Sequence, residues 1–446
     1  MSDLTSLLLQ GPLDAASLQA RLGVSQPTLS RLIKARPQVL KYGRARATRY
    51  ALLRPLREVS QFPLWQIDIA GQAHAAGQLY SVWPAGSCVV QDASASWHYY
   101  PGLPWYLSDM RPQGFLGRAW GRDCARQLGL PEDIRQWSDD HCLLALSSRG
   151  ADVTGSWLIG QHSYRQWLQQ PRPAAIVLAD KATRYPQLAS EVLAGEQPGS
   201  SAGGEQPKFA SLAELPDGSL AHVLVKFTPA RANENSQRWC DLLRAEALAL
   251  RLMQQHGLAA AQTALIAAGN GQLFLEVVRF DRAGENGRHS MVSLEAVQAE
   301  FIGNPHHWPA ALQQLVQQKR LSDRDAQRGT LQWAFGRLIA NGDMHAGNLS
   351  FFLTDGGLRL TPAYDMLPMS FAPNSAGYMR DSAVALRLDD SVSQHHWQTA
   401  LEMAGQYWQF ISAECAFSSG FRQLAAEMQQ QLHGLAGHIA RMAQVN

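Results

Sequence analysis

An aspartate and an asparagine five positions apart, Asp343 and Asn348, sit in the polar stretch Asn341-Gly-Asp-Met-His-Ala-Gly-Asn348. That spacing suits phosphoryl transfer. One tight loop can offer a carboxylate that takes a hydroxyl proton and an amide oxygen that reaches a magnesium ion on the phosphates. By itself Asp-x4-Asn also fits an ordinary polar surface turn. A second carboxylate narrows the choice. Leu349–Leu353 reads as a strand, Asp355-Gly356-Gly357 as a hairpin turn and Leu358–Pro362 as the returning strand, followed at once by Tyr364-Asp365-Met366. The hairpin returns Asp365, seventeen residues past Asn348, to the neighbourhood of the loop, where the two could share a magnesium ion. Oxygen donors without cysteine or clustered histidine favour a hard cation over zinc.

Upstream, His222–Phe227 is a β-rich run with one lysine inside it, Lys226. A lysine in a strand core is costly unless paired. ATP phosphates and a helix carboxylate would offset that cost. Glu246, on the amphipathic helix Arg238–His256, is the candidate partner, with Asp241 on the same helix as the other choice. A lysine pointing to solvent from an edge strand is the plain alternative. The apolar run from Leu273, ending in the charges of Arg279-Phe-Asp-Arg282, suits a hinge. Its backbone around Val278 to Phe280 would hydrogen-bond adenine. Neither GxGxxG nor a Walker A pattern occurs.

The elements that must hold these groups emerge from periodicity. Helices over Trp308–Gln318 and Asp323–Ile339 lead into the loop, and from Gln394 onward two or three amphipathic helices complete a larger lobe. Residues 58–190 carry eight of the thirteen tryptophans. There Trp65–Ile69 and Ser87–Val90 read as strands, and Gly117–Leu128 and Pro131–Leu146 as helices. The tryptophans read as core and inter-domain packing rather than as platforms for stacked bases. Ala189–Gln206, with four glycines and three serines, reads as a looser connection. His345 and the pair His306-His307 read as hydrogen-bonding groups, since no third ligand is suitably spaced.

At 446 residues, 46% hydrophobic and 17% charged, the chain has the length of two or three globular domains, which excludes disordered and fibrous classes. No apolar run approaches the roughly 20 residues of a membrane span. Five cysteines without a CxxC pair exclude a disulfide scaffold and a cysteine-built zinc site. The opening residues, with Asp3 and no early Lys or Arg, do not read as a signal peptide, so the expectation is a cytoplasmic protein with no membrane partner.

The net charge of +2 conceals an asymmetry. Residues 1–57 hold ten Lys or Arg against Asp3 and Asp14, a net +8, while the remainder is −6. A basic head on an acidic body points to a polyanion as the partner of the head. The head has the layout of a winged helix-turn-helix. Asp14 caps a helix over Ala15–Leu22, Gly23 stops it, and Ser25 caps a second helix with Pro27 in its first turn. The outer face of that helix offers Gln26, Thr28, Ser30 and Arg31 to base edges or phosphates. Strands Val39–Tyr42 and Thr48–Leu52 form the wing, with Arg44, Arg46 and Arg49 placed for phosphates or the minor groove. Double-stranded DNA is the expected partner, usually bound by a homodimer. A basic module that docks on RNA or another protein is the alternative.

Taken in order, Ser201-Ala-Gly-Gly-Glu-Gln-Pro-Lys208, Lys226, Arg279-Phe-Asp-Arg282, Asn341 to Asn348 and Tyr364-Asp365 resemble the HipA-like serine/threonine kinases, toxins of bacterial toxin–antitoxin systems. The resemblance covers roughly residues 201–440, with a weaker echo before them. It implies an α+β, two-lobed protein-kinase-like body that uses ATP and Mg2+ to phosphorylate a protein on serine or threonine. In the family, known targets include aminoacyl-tRNA synthetases. Carried over by motif position, Asp343 is the base, Asn348 and Asp365 the magnesium ligands, and Lys226 the phosphate-binding lysine. Gly203, Gly204, Gln206 and Lys208 form the loop over the phosphates, and Ser201 falls where family members autophosphorylate. An antitoxin is an implied partner. Two features depart from the family pattern: Pro207 stands where an acidic residue is expected, and the DNA-binding head is fused to the chain. The expected organisation is a winged helix-turn-helix over 1–57, a Trp-rich α+β subdomain over 58–190 and a kinase-like domain over 191–446. A DNA-bound regulator or DNA-acting toxin, whose kinase-like body senses a nucleotide, is the second reading.

Overall fold

In the computed structural model the described residues are 3–171, 173–194, 206–230, 232–303, 305, 307–374 and 376–442. The first segment builds a small helical unit with a β-ribbon. Helix α1 (Leu4–Leu8) precedes the short strand β1 (Leu13–Asp14), then come α2 (Ala15–Leu22), α3 (Gln26–Lys34), β2 (Val39–Tyr42) and β3 (Arg49–Leu52), with sheet order β1-β3-β2. The Asp14 carboxylate accepts from Ser17 N at 2.8 Å and caps α2, and Gly23 ends that helix at φ 68°, a left-handed conformation that glycine adopts without strain. Ser25 stands at the N-cap of α3 as expected, but its hydroxyl meets the Thr28 hydroxyl at 3.1 Å rather than a backbone N–H. Leu4, Leu8, Leu18, Leu29, Tyr50 and Leu52 close the core of this unit.

This unit is welded to a five-stranded antiparallel sheet. Leu53 bridges Val82, Trp83 packs on the core of the unit, and the buried Arg54 pairs with Asp140 while its Nε donates to Val82 O at 3.2 Å. The sheet consists of β4 (Gln61–Ile67), β5 (Ala73–Ser81), β6 (Cys88–Asp92), β7 (Trp97–Tyr100) and β8 (Trp157–Ile159), in the order β7-β6-β5-β4-β8. Helices α4 (Gly114–Leu128), α5 (Asp139–Arg149) and α6 (Gly160–Gln169) cover it. The helix expected over Pro131–Leu146 is divided. A single 3-10 turn, Ile134–Gln136, is followed by a fresh start in which Ser138 and His141 form a reciprocal cap for α5. The tryptophans pack: Trp120 and Trp137 are buried together, Trp65 stacks on Tyr164 at 4.0 Å, and Trp105 meets Phe301 of the following region edge-on. Helix α7 (Lys181–Ala194) takes in the first residues of the stretch expected to be loose, because Tyr185, Leu188, Ala189 and Val192 give it a buried face.

The last region has two lobes. The smaller is a four-stranded antiparallel sheet of β9 (Lys208–Glu214), β10 (Leu220–Phe227), β11 (Thr263–Ala267) and β12 (Leu273–Val278), ordered β11-β12-β10-β9, with α8 (Glu234–Gln255) lying across it. A ribbon of β13 (Arg282–Ala283) and β14 (Gly287–Arg288) then leads to β15 (Met291–Ser293) and the short helix α9 (Leu294–Val297). The larger lobe contains α10 (Trp308–Gln317), α11 (Asp323–Leu338), the hairpin β16 (Ser350–Thr354) and β17 (Gly357–Leu360), and the long helices α12 (Gln394–Ala413) and α13 (Ser419–Ala440). Its core is large, built on Phe335, Phe371, Trp397, Tyr407, Trp408 and Phe421. No helix among the described residues is long and apolar enough to cross a membrane.

Candidate active site

Lys226 lies one residue from the end of β10, cross-strand from Lys208 on β9 and Leu275 on β12, and is 7% exposed. A cation in so dry a place needs acceptors for its protons, and it has three. Its ammonium donates to Glu246 Oε1 and Oε2 at 2.7 and 2.8 Å and to Asp365 Oδ1 at 2.5 Å. Glu246 is fully buried on α8. Asp241, the other choice on that helix, faces away and accepts from Ser418 N and Oγ. Asp365 holds the left-handed conformation at φ 55°, uncommon for a non-glycine residue, just past the β16–β17 hairpin.

The loop between α11 and β16 is fixed from several sides. Asn341 Oδ1 accepts from Asp343 N at 3.0 Å, and its Nδ2 donates to Asp365 O at 3.4 Å. Asn348 Nδ2 donates to Asp343 O at 2.8 Å, which leaves Oδ1 as the atom able to meet a cation. Trp308 Nε1 holds His345 O, and the Tyr364 hydroxyl ties Gly347 O to Ser350 Oγ. Gly347 donates its N–H to His345 Nδ1, and a Cβ there would come within 2.8 Å of the imidazole, so any other residue would push the His345 ring from this position.

Lys208, Lys226, Glu246, His345, Asn348 and Asp365 line one cleft with a cavity of about 200 Å³. Asp343 stands beside His345 (3.8 Å) with its side chain half exposed. Burial opposes the charge of Asp365, but the Lys226 and Lys208 ammonium groups outweigh it and hold the carboxyl below the usual range. Asp343 goes the other way. Partial burial raises its carboxyl, with the Asp365 charge acting in the same direction against His345 and Lys226. The two carboxylates, Asp365 lining the cleft and Asp343 beside it, are thus driven apart.

Of the expected hinge, Val278 N donates to Gln262 O and Arg279 N to His222 O, both at 2.9 Å, so those two amides serve the sheet rather than a ligand. Val278 and Phe280 both line the cleft. Ser201, Gly203, Gly204 and His306 lie outside the described residues; Gln206 is half-buried just before β9, and His307 caps α10. In the N-terminal unit Gln26, Arg31, Arg44, Arg46 and Arg49 are exposed and Thr28 is partly covered.

Sequence reasoning missed a buried charge cluster under the cleft. Arg279 grips Asp281 with Nε and Nη2 at 2.9 and 2.7 Å, and Arg282 donates to Asp281 (2.6 Å) and to Asp152 of the preceding region (2.9 Å). It missed Asp109 too, which holds Ser293, the N-cap of α9, by accepting from its N and Oγ, and which lines the cleft. Neither Asp109 nor Asp152 stands in a local pattern, so only the fold reveals them. The buried pair of Lys181 with Glu276 (2.7 Å) did carry a signal, a single acid inside the apolar run Leu273–Val278.

A family model described as the HipA-like C-terminal domain matches residues 200–435, and one described as the middle domain of YjjJ-like toxins matches residues 58–168. Toxin YjjJ of Escherichia coli (strain K12) is 49% identical over 442 residues, covering 99% of this chain and 100% of that protein. The solved structure of HipA from Shewanella oneidensis MR-1, in complex with HipB and operator DNA, matches 86% of this chain and 100% of its own with a TM-score of 0.54 at 16% identity. The body is accordingly an α+β, kinase-like fold. By its C-terminal domain and by a relative that matches it from end to end, this chain belongs to the HipA-like toxin family.

Proposed function

We propose that this chain is a serine/threonine protein kinase, dependent on ATP and Mg2+, that acts as a toxin and carries a fused DNA-binding head. One observation carries the reading: the Lys226 ammonium is held between Glu246, from a helix, and Asp365, from the loop after the hairpin. Phosphoryl transfer needs that lysine, that helix carboxylate and that metal-binding carboxylate in one place. Asp343 then accepts the proton of the acceptor hydroxyl. Asn348 Oδ1 and Asp365 are the oxygens that would hold magnesium, which needs only one or two protein ligands because it keeps waters and phosphate oxygens. When bound, the ion offsets charge on the phosphates. Lys226, Lys208 and Gln206, with Gly203 and Gly204 of the preceding loop, are assigned to the phosphates, and Ser201 to autophosphorylation. The Phe280 N–H is assigned to the adenine, with Val278, whose own N–H serves the sheet, lining the cleft beside it.

The substrate class is a cytosolic protein with a serine or threonine acceptor, with the translation machinery as the first place to look. Residues 1–57 are read as a winged helix-turn-helix, followed by a Trp-rich subdomain over 58–190 and the kinase domain over 191–446. On double-stranded DNA, Gln26, Thr28 and Arg31 would face base edges, and Arg44, Arg46 and Arg49 the backbone or minor groove; the exposure of Gln26 and the four arginines supports this. The HipA relative was solved with HipB and operator DNA. Here an antitoxin is a candidate partner, a fused head takes over part of the operator contact, and a homodimer on paired half-sites is the natural unit. The test is transfer from γ-labelled ATP into a cell extract whose own kinases have been heat-inactivated. Label on serine or threonine, lost with EDTA and with Asp343→Asn, is expected. Nucleotide binding without any transfer would favour the DNA-bound sensor instead.

A further inference from the structure

Helix α8 presents more than Glu246. Asp241 ties it to Ser418, the N-cap of α13. Arg238, about two turns before Glu246, is 6% exposed and reaches a different target. Its Nη1 donates to Phe371 O at 2.9 Å and to Arg380 O at 3.1 Å, and its Nη2 to Asp381 Oδ1 at 2.8 Å, with the Phe421 ring 5.5 Å from the guanidinium. Those acceptors bracket one segment. Phe371 comes six residues after Asp365, and between the brackets Asn374 Oδ1 accepts from Ala376 N and Tyr378 N at 3.0 Å each, which folds the chain back with Tyr378 77% exposed at the tip.

The position of this segment matters. It comes after the carboxylate assigned to the metal and precedes the long helices of the large lobe, where protein kinases carry the segment that a phosphorylated side chain orders by pairing with arginine. Here arginine is already paired, with a carboxylate of the segment and two of its carbonyls. A planar guanidinium can satisfy all three acceptors at once, which an ammonium at the end of a flexible stem would not do in the same geometry.

We propose that Arg238 and Asp381 are a positioning pair that holds the Phe371–Asp381 segment against α8 in place of a phosphorylated side chain, so that transfer at Asp343 needs no prior modification of that segment; this rests on the kinase reading above. The pair acts through two neighbours. It sets the acceptor side of the cleft through the segment, and it anchors the start of the helix whose later turn meets Lys226.

The experiment uses the full chain, freed of phosphate by phosphatase that is then removed, and compares wild type with Arg238→Lys, Asp381→Asn and Asp381→Glu. Nucleotide affinity is read with a fluorescent ATP analogue, phosphate incorporation by intact mass, and stability by melting temperature. Dephosphorylated wild type should transfer without a lag. Arg238→Lys and Asp381→Asn should bind nucleotide within about twofold of wild type but transfer about tenfold more slowly, and Asp381→Glu should recover most of the rate. Asp381 has a mostly exposed side chain, so its variants fold even where the arginine variant does not. Wild-type rates in Asp381→Asn, or rate, affinity and melting temperature falling in step, would overturn the pair while leaving the kinase reading intact. A wild type that transfers only after its segment is phosphorylated would do the same. No transfer by wild type under any condition would overturn the kinase reading, and the pair with it.

Discussion

Lys226 and Asp365 stand 139 residues apart in the chain and 2.5 Å apart in the fold, with Glu246 completing the set of acceptors around the same ammonium. The ammonium joins the small lobe to the large one, since Lys226 is on β10 and Asp365 lies past the β16–β17 hairpin. Whatever enters the cleft to meet Asp365 must contend with this contact.

Removing the lysine should therefore damage the fold as well as the chemistry. Lys226→Met leaves Glu246 buried without a cation, a loss on the order of 3–5 kcal/mol. Lys226→Met with Glu246→Gln should recover much of the melting temperature but none of the nucleotide affinity. Thermal unfolding beside titration of an ATP analogue separates the two effects. A double variant that stays as unstable as the single one would contradict the pairing.

Asp343→Asn should lower the transfer rate by about 10²- to 10⁴-fold with nucleotide binding retained, as expected for loss of a proton acceptor. The acid limb of the wild-type pH–rate profile should sit above that of an ordinary aspartate, because burial raises this carboxyl. The sign is fixed by the chemistry: the base works deprotonated, so rate is lost as pH falls through its pKa. His345 opposes the rise, so His345→Gln should move the limb further up. An unmoved limb would remove His345 from the electrostatics of the site.

The chain reads very differently at its two levels of order. The head obeys local rules, with Asp14, Gly23 and the basic hairpin in sequence order, and α2, β2 and β3 lie within a residue or so of expectation, while α1 and β1 go beyond the expected elements. The Asp343–Asn348 loop and the hairpin to Asp365 are legible for the same reason: spacing alone returns one to the other. The choice of Glu246 over Asp241 is not, because both lie on one helix and only the placement of α8 decides which meets Lys226 and which meets Ser418. The hinge amides escape sequence reasoning because the demands of neighbouring strands on Val278 and Arg279 cannot be seen from their own run. Arg238 with Asp381, and Arg282 with Asp152, pair across more than a hundred residues and leave no periodic trace.

The Arg282–Asp152 link gives an acid-stability signature. Partial desolvation works against the charge of Asp152, whose side chain is 47% exposed, but Arg282, Arg279 and Arg288 overcome it and hold the carboxyl at about 2, below the ordinary value of 3.8. A depressed carboxyl contributes stability above its unfolded pKa, and that contribution is lost as pH falls through the window from about 4 to about 2. Asp152→Asn should lower the melting temperature near neutrality and flatten its decline in that window. A variant that declines in parallel with wild type would show that this link does not set the acid limb.

For the head, replacing Arg44 and Arg46 by alanine should weaken DNA binding and reduce the slope of log K against log salt by about 0.9 for each phosphate that the variant no longer neutralises. Both side chains are exposed, so the fold should be unaffected. An unchanged slope would place the DNA elsewhere.

The most direct measurement is intact-mass spectrometry of the purified full chain incubated with Mg-ATP, beside Asp343→Asn. A gain of one phosphoryl group in the wild type alone, mapped to Ser201, is the expected result. No gain in either protein, with nucleotide still bound, would contradict the kinase account and leave a nucleotide-sensing, DNA-acting toxin in its place.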